Sequence, residues 1–324
     1  MVRVGTVALD GTKLAGNAAD KANRTHDQLE CEVAEILRQA AETDQHEDRL
    51  FGDARGDELP QALASKAGRL ARLRQAKARL EAEAAERQQR FAERVAAATA
   101  TARAKSRPPR QLKPRPRYEA PNPKATANTT DPDSRFLRTR TGTVQGYNAQ
   151  AVVTEHQIVV AAELTQDAND VQQLHPMLAA VDQTLAAAAI LDRPGTVLAD
   201  SGYWSIANLT AIPDATELLV WPAKTGRTGK PRKDGQPSES KSDGLRAAMF
   251  AKLNSEQGKA CYAKRKQTVE PVFGQIKDVR GARRLPRRGL AACDAEWKLL
   301  CGTHNLLKLW RHTRRQSGAV RLVA

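Results

Sequence analysis

The sequence predicts an α/β protein with a mixed β-sheet flanked by helices and a long helical insertion after the first strand. Outside residues 27–105, segments follow in the order strand, strand, strand, helix, strand, helix, strand, helix. This order is typical of one sheet with helices packed against it. Residues 27–105 are instead rich in alanine, glutamate, arginine and leucine, which is the composition of long helices.

The first strand is predicted within residues 1–17, in the segment MVRVGTVALD. Its apolar, β-branched residues indicate a buried strand. The Asp-Gly pair at Asp10 and Gly11 indicates that the strand ends there in a turn.

Residues 18–105 are predicted to form an antiparallel, coiled-coil-like helical hairpin. The segment FGDARGDELP separates its two helices. Apolar side chains recur along the second helix at steps of seven and four residues: Leu73, Leu80, Ala84, Phe91 and Val95. We interpret the hairpin as a spacer arm, and a surface for dimerisation or DNA contact is the alternative.

Residues 106–140 are basic and rich in proline, so they are predicted to be an extended linker that can follow a DNA backbone. Residues 141–324 complete the sheet, with a hairpin in GYNAQAVVTEHQIVVAAELT and strands in GTVLAD and ELLVWPA. Asn169 or Asp170 is expected to cap the helix that follows the hairpin. Residues 224–244 have almost no apolar side chains and are predicted to be a mobile loop, and residues 259–315 to be basic helices.

The chain is strongly basic, with a formal net charge of +15 and a pI near 9.9. The positive charge is concentrated in residues 102–140 and 259–315. Such a charge attracts polyanions, so double-stranded DNA is the predicted partner. No stretch reaches the ~18 apolar residues of a membrane span and no signal peptide opens the chain, so we expect a cytoplasmic protein.

Three carboxylates stand out against this basic background. Asp10 and Asp200 each end an apolar run, in VALDGT and VLADSG, and Glu270 lies among cations in YAKRKQTVEPVFGQIK. Acidic groups at strand ends lie at the rim of an α/β sheet, where ligand sites usually form. Neighbouring carboxylates repel one another unless a cation binds, so the set predicts a site for two Mg²⁺ or Mn²⁺ ions that acts on a phosphate.

Other interpretations of these acidic residues remain open. Asp10 and Asp200 are each also typical turn residues. Asp131 and Asp133 compete with Asp10 for the first position, although they lie in the proline-containing linker. His304 shares the apolar face of the last helix and is predicted to be a core histidine, not a metal ligand.

The residues around Glu270 are predicted to bind DNA phosphates. Pro271 is tolerated in a first helical turn, so Thr268 is expected to cap the helix that carries Glu270. The basic segment RGARRLPRRG continues the same polarity. The candidate DNA-binding residues are Tyr262, Arg265, Lys266, Lys277, Arg280, Arg283, Arg284, Arg287 and Arg288.

Four segments resemble, in this order, the catalytic domain of bacterial insertion-sequence transposases of the Asp-Asp-Glu (DDE) type: DGTKLAGNA, GYNAQAVV, VLADSGYWS and RKQTVEPVFGQIK. The resemblance covers nearly the whole chain, including the helical insertion and CGTHNLLKLW. It implies a ribonuclease H-like fold and makes Asp10, Asp200 and Glu270 the metal-binding triad.

The resemblance also assigns roles to basic residues. Tyr262, Arg265, Glu270 and Lys277 resemble the family's Tyr-Arg-Glu-Lys signature. The gap between Arg265 and Glu270 is one residue longer than usual, so Lys266 is the alternative for the arginine role.

The implied reaction is metal-dependent hydrolysis at the ends of the element, followed by strand transfer through the free 3′-hydroxyl, in a homodimer bound to DNA. Such transposases usually carry a helical domain before the first catalytic strand, and this chain begins on that strand. We therefore expect an N-terminally truncated transposase that binds DNA and has weak or absent nuclease activity. The alternatives are another ribonuclease H-like nuclease, such as a junction resolvase, and a non-catalytic DNA-binding remnant.

Overall fold

A computed structural model describes residues 4–51, 61–104, 106, 108, 122, 124–139, 141–213, 215–222 and 241–321. It confirms an α/β protein with a mixed sheet flanked by helices. The strands are β1 (Thr6–Ala15), β2 (Asn23–Thr25), β3 (Thr126–Asn128), β4 (Arg135–Thr139), β5 (Gly142–Thr154), β6 (Val159–Thr165), β7 (Thr196–Ala199) and β8 (Glu217–Val220). The helices are α1 (His26–Phe51), α2 (Gln61–Ala104), α3 (Leu174–Ala187), α4 (Ile206–Thr210), α5 (Lys241–Asn254), α6 (Glu256–Gly274) and α7 (Leu290–Arg321).

The chain forms two compact units. One combines Met1–Asn17 with Phe136–Ala324 and contains the main sheet. The other is Ala18–Arg135 and contains the two long helices.

The main sheet has the strand order β4-β5-β1-β7-β8, and β6 also pairs with β5. β1 is antiparallel to β5 and parallel to β7, and β7 is parallel to β8, so the sheet is mixed. Val7, Ala8 and Leu9 of β1 are fully buried. A continuous apolar run of this kind is expected of a strand that is covered on both faces.

The prediction that β1 ends at Asp10 is wrong. β1 continues to Ala15, and Asp10 and Gly11 pair in register with Ala151 and Gln150 of β5. The Asp-Gly signal for a turn is local, whereas the pairing with β5 satisfies the backbone on both sides of it. Asp10 is therefore held within a strand.

Helices α3, α6 and α7 bury apolar faces in the core beside the sheet. The side chain of His304 in α7 is 2% exposed, and its Nε2 lies 2.9 Å from the carbonyl oxygen of Gln157. Burial lowers the pKa of His304. The prediction of a core histidine is confirmed.

Helix α6 passes through Pro271, so the predicted helix start at Thr268 is wrong. Ser255 caps α6, and its Oγ accepts a hydrogen bond from the Gly258 amide at 3.0 Å. Proline cannot donate to the carbonyl oxygen of Gln267, one turn earlier. The Gln157 side chain supplies this donor from the β5–β6 turn, with Nε2 3.0 Å from that oxygen. The helix continues because a distant residue replaces the missing hydrogen bond.

In the second unit, α1 and α2 form an antiparallel pair. Glu30 binds Lys77 at 2.8 Å, and Glu32 binds Arg69 at 3.1 Å, so the two helices run in opposite directions. The predicted apolar seam is buried at Leu73 and Leu80.

The predicted linker at 106–140 is wrong over its second half. β3 pairs with β2, β4 joins the main sheet, and Asn128, Asp131 and Ser134 are buried. The sequence did not indicate these strands, because prolines and polar residues are not typical of strands. In addition, the partner of β3 lies about a hundred residues earlier in the chain. Most of residues 106–123 and of the predicted loop at 224–244 lies outside the described residues, and Lys241 begins α5. Within the described ranges, no helix has an apolar stretch long enough to cross a bilayer.

Candidate active site

Strands β1 and β7 bring Asp10 and Asp200 together. Leu9 of β1 pairs with Ala199 of β7 in the parallel ladder, so the residues that follow them, Asp10 and Asp200, lie side by side. Strand β7 ends there, whereas β1 continues to Ala15. The backbone at Asp200 remains extended (φ −80°, ψ 177°), and its Oδ1 accepts a hydrogen bond from the Gly202 amide at 2.7 Å. Oδ1 of Asp10 accepts from the Gly11 amide at 2.8 Å.

The carboxyl group of Asp10 is electrostatically strained. Burial raises its pKa to about 6, and the negative charge of Asp200 adds to this rise, while Arg265 opposes it. A buried carboxylate beside a second carboxylate favours either a proton or a metal cation. This pair has the character of a cation site.

Helix α6 presents Arg265 and Tyr262 to this pair. Nη1 of Arg265 lies 3.0 Å from Oδ2 of Asp10, in an ion pair whose side chains are 12% and 20% exposed. The Tyr262 hydroxyl donates to the carbonyl oxygen of Ala199 at 3.1 Å, one residue before Asp200. Nε of Arg265 is buried without a hydrogen-bond partner among the described residues. Arg265 reaches the site, whereas Lys266 is exposed.

Lys277 makes a second contact between this part of the chain and β1. Its Nζ donates to Oγ1 of Thr12 at 2.8 Å, and burial lowers the pKa of Lys277. Thr12 and Asp10 are two residues apart on one strand, so their side chains share a face. Lys277 lies in a π-helical turn, Gln275–Val279, that directly follows α6.

Glu270 lies on α6 between the two residues that reach β1, and its side chain is exposed. Glu270 is five positions after Arg265 in the helix, which corresponds to about 7.5 Å along the axis and about 140° around it. Glu270 therefore points away from the direction of Arg265. Among the described residues, no group of three Asp, Glu, His or Cys side chains is arranged to hold a metal ion.

The basic segment after α6 is anchored to the end of β1. Leu285 is fully buried, and its amide donates to the carbonyl oxygen of Ala15 at 2.8 Å. Arginines flank this anchor on the surface. Arg280 bonds to Thr303 of α7, Arg283 pairs with Asp278, Arg288 bonds to the Asn17 carbonyl oxygen, and Arg284 and Arg287 are exposed.

Sequence reasoning missed a polar network beside Asp10. Asn148 and Gln150 are fully buried and donate to Oδ1 of Asp170 at 2.7 and 2.8 Å. The Tyr203 hydroxyl bonds to Oε1 of Gln150. The available signal was the pair of amides at alternate positions of an otherwise apolar strand. The expected helix cap at Asn169 or Asp170 is wrong, because α3 begins at Leu174, after Gln173.

Asp131, the competitor for the first position, is buried in the other unit, where its carbonyl oxygen accepts from the Ser134 hydroxyl at 2.7 Å. Asp10 and Asp200 place two carboxylates side by side next to a cationic helix, and carboxylates hold the divalent ions of enzymes that act on phosphate esters. Residues 228–310 match the family model described as a transposase DDE domain. This match confirms the predicted resemblance to DDE transposases, and this family implies a DNA partner and typically uses divalent metal ions.

The matched segment contains Glu270 and the basic residues that follow it, and Asp10 and Asp200 lie outside it. No curated protein and no solved structure matches the chain.

Proposed function

We propose that this protein is a DDE transposase that binds double-stranded DNA and cleaves and joins strands at the ends of an insertion sequence. The observation that carries the proposal is that Asp10 of β1 and Asp200, which directly follows β7, lie side by side next to the helix that carries Glu270. In this proposal the chain acts as a homodimer in the DNA complex.

The architecture supports a ribonuclease H-like fold. After the helical insertion is set aside, three antiparallel strands, β1, β5 and β6, are followed by the parallel strands β7 and β8. Helices α3 and α4 lie between the later strands in chain order. The proposed site lies at the carboxyl end of β7, beside Asp10 of the neighbouring strand β1. The carboxyl ends of strands are a common place for ligands in α/β proteins.

The donor set fits Mg²⁺ or Mn²⁺ in kind. Asp10 and Asp200 offer only oxygen donors, which these hard cations prefer. Burial, and after it the charge of Asp200, raises the pKa of Asp10, and a bound cation offsets both effects. Glu270 is the proposed third ligand. When bound, two such ions activate an attacking oxygen and stabilise a leaving oxygen at one phosphate.

The cationic side chains have separate proposed roles. The guanidinium of Arg265, which pairs with Asp10, can bind a DNA phosphate beside the reacting bond once that carboxylate holds a metal. Lys277 fixes the end of the helical segment on β1 and adds a second positive charge. The exposed arginines 284 and 287 can neutralise phosphates further along the duplex.

The proposed reaction has two displacements at phosphorus. Water first adds to the phosphorus at the end of the element, and the bond to the 3′-oxygen breaks, leaving a 5′-phosphate and a 3′-hydroxyl. That hydroxyl then attacks a phosphodiester of the target, loses its proton, and displaces a target 3′-oxygen that takes up a proton. Each step exchanges one P–O bond for another, so no nucleotide cofactor is needed.

Plasmid nicking tests the proposal. The wild-type protein is incubated with supercoiled plasmid and Mn²⁺ or Mg²⁺, beside Asp200→Asn and Asp10→Asn. Asp182→Asn is the matched control, since Asp182 is an exposed residue paired with Arg193 on α3. We expect metal-dependent nicking in the wild type and in the control, and its loss in both site variants. Nicking that persists unchanged in Asp200→Asn would contradict the site.

A non-catalytic DNA-binding protein is the second candidate. It is favoured by the ion pair that Arg265 makes with Asp10 and by the exposed position of Glu270 outside that pair. Salt-sensitive DNA binding without nicking at any Mn²⁺ concentration would select this candidate.

A further inference from the structure

Asp170 lies below the proposed cation site, on the opposite face of the sheet from the side chain of Asp10. Gly11 pairs with Gln150 and Lys13 with Asn148, so these four residues share one face, and Asp10 and Thr12 share the other. The side chains on the first face converge on Oδ1 of Asp170. The two amides lie at 2.7 and 2.8 Å, and Nζ of Lys13 lies farther away at 3.5 Å.

Gly11 allows this approach because it has no side chain. A Cβ atom there would lie 2.3 Å from Nε2 of Gln150 and 2.7 Å from Oδ1 of Asp170. A side chain at this position would force Gln150 and Asp170 to move, so the glycine lets the Asp170 carboxylate approach the backbone of β1 next to Asp10. The negative charge of Asp170 contributes to the raised pKa of Asp10.

The other carboxylate oxygen of Asp170 borders Asp200. A Cβ atom at Gly202 would lie 2.9 Å from Oδ1 of Asp200 and 3.5 Å from Oδ2 of Asp170. Both oxygens therefore flank the same small space above the Gly202 backbone. Asp170 therefore approaches Asp10 beside Gly11 and approaches Asp200 beside Gly202.

We propose that Asp170 is a positioning residue whose negative charge strengthens divalent-cation binding by Asp10 and Asp200. This inference rests on the proposed function of that site. Asp170 is not proposed as a direct ligand. It acts through the electrostatic potential at the two aspartates and through the amides that it holds against β1.

Mn²⁺ binding, measured by calorimetry or by electron paramagnetic resonance of the free ion, tests this role in the full chain. Asp170→Asn keeps an oxygen acceptor for the two amides but removes the charge. We expect the dissociation constant for Mn²⁺ to rise about tenfold, as the loss of one unit charge a few ångströms from a divalent ion predicts. Asp167→Asn is the matched control, since Asp167 is an exposed carboxylate in the same turn, and its affinity is expected to equal that of the wild type.

Lys13→Gln is expected to have the opposite effect on Mn²⁺ binding. Removing the cation beside Asp170 is expected to lower the Mn²⁺ dissociation constant severalfold. A purely structural role for Asp170 predicts a lower melting temperature without either change in affinity. Unchanged affinity in both variants would therefore overturn the inference.

The outcomes also separate this inference from the proposed function. If the wild type binds Mn²⁺ and Asp200→Asn weakens binding while Asp170→Asn does not, only the role of Asp170 fails. If the wild type does not bind Mn²⁺, the proposed function and this inference both fail.

Discussion

Arg265 neutralises Asp10 through an ion pair in which Nη1 lies 3.0 Å from Oδ2. The pair is mostly buried, so the attraction is less screened than at the surface. In the proposed site the arginine and a metal cation compete for one carboxylate. Arg265 therefore has two proposed uses: it balances Asp10 when no metal is bound and binds DNA phosphate when the carboxylate holds a metal.

Replacing Arg265 by glutamine separates these uses. In Arg265→Gln we expect a further rise in the pKa of Asp10, because the opposing charge is lost. At pH 8 we expect Mn²⁺ to bind about tenfold more tightly, since one competing charge is removed. DNA cleavage is expected to fall, because the phosphate loses its donor. Lys266→Gln is the control for an exposed neighbouring cation, and weaker Mn²⁺ binding in Arg265→Gln would contradict the competition.

The raised pKa of Asp10 predicts a pH dependence of stability in metal-free buffer. The folded protein holds the Asp10 proton up to about pH 6, whereas the unfolded chain releases it near 3.8. Between these values the folded state binds more protons, so the free energy of unfolding falls as pH rises. Asp10→Asn removes this dependence.

Denaturant titrations at pH 4 and pH 8 measure the effect. Asp10→Asn is expected to gain roughly 2 kcal/mol of stability relative to the wild type between pH 4 and pH 8, because most of the shift of about two pKa units falls within this range. A relative stability that stays constant with pH would show that Asp10 has an ordinary pKa. Asp182→Asn controls for the loss of an exposed carboxylate.

Glu270→Gln tests whether Glu270 is required for catalysis although it contributes little to folding. Its side chain is exposed, so Glu270→Gln is expected to change the free energy of unfolding by no more than about 0.5 kcal/mol. Plasmid nicking is nevertheless expected to drop at least about a hundredfold, since one of three proposed ligands is lost. Glu256→Gln, at the start of the same helix, is expected to nick normally. Nicking at the wild-type rate in Glu270→Gln would remove Glu270 from the site.

Gln157 and Pro271 are expected to be energetically coupled. Gln157→Asn tolerates the left-handed backbone (φ 62°) but is too short to reach the Gln267 carbonyl oxygen. We expect it to destabilise the fold by about 1–3 kcal/mol, the cost of an unsatisfied polar group.

In a Pro271→Ala background the helix regains its own donor, so the same substitution is expected to cost less. Thermal or denaturant unfolding of the four proteins gives the coupling free energy. Equal costs in both backgrounds would mean that the side chain of Gln157 does not compensate for the proline.

The sequence predicted those parts of the fold whose signals are local and periodic. The apolar runs of β1 and β7 and the composition of α1 and α2 identified these elements, because burial or helix propensity acts over each segment. The path of β1 through Asp10 and Gly11 depends on pairing with β5, more than a hundred residues away. Likewise, the Gln267 carbonyl oxygen, which Pro271 leaves without a helical donor, bonds to the distant side chain of Gln157.

For the candidate site, sequence reasoning expected Asp10 and Asp200 at one rim of the sheet. They are neighbours because Leu9 pairs with Ala199, although β1 does not end at Asp10. It could not identify which cation reaches Asp10, since Arg265 and Lys266 are adjacent and only the helix phase decides between them. Asp170 was missed for a different reason. Its role depends on the missing side chain of Gly11 and on two amides of β5, and none of these features is adjacent to it in the chain.

The β5–β6 turn has a consequence for how this protein tolerates change. Its Gln157 also accepts a hydrogen bond from Lys308 of α7 at 2.6 Å, so one turn residue links α6 and α7, two of the helices that pack against the sheet. Lengthening this turn by a single residue would shift its amide away from α6 and let the helix bend at Pro271. The orientation of Glu270 would then change although no neighbour of Glu270 had been altered, and a substitution scan confined to acidic and basic positions would not detect this dependence.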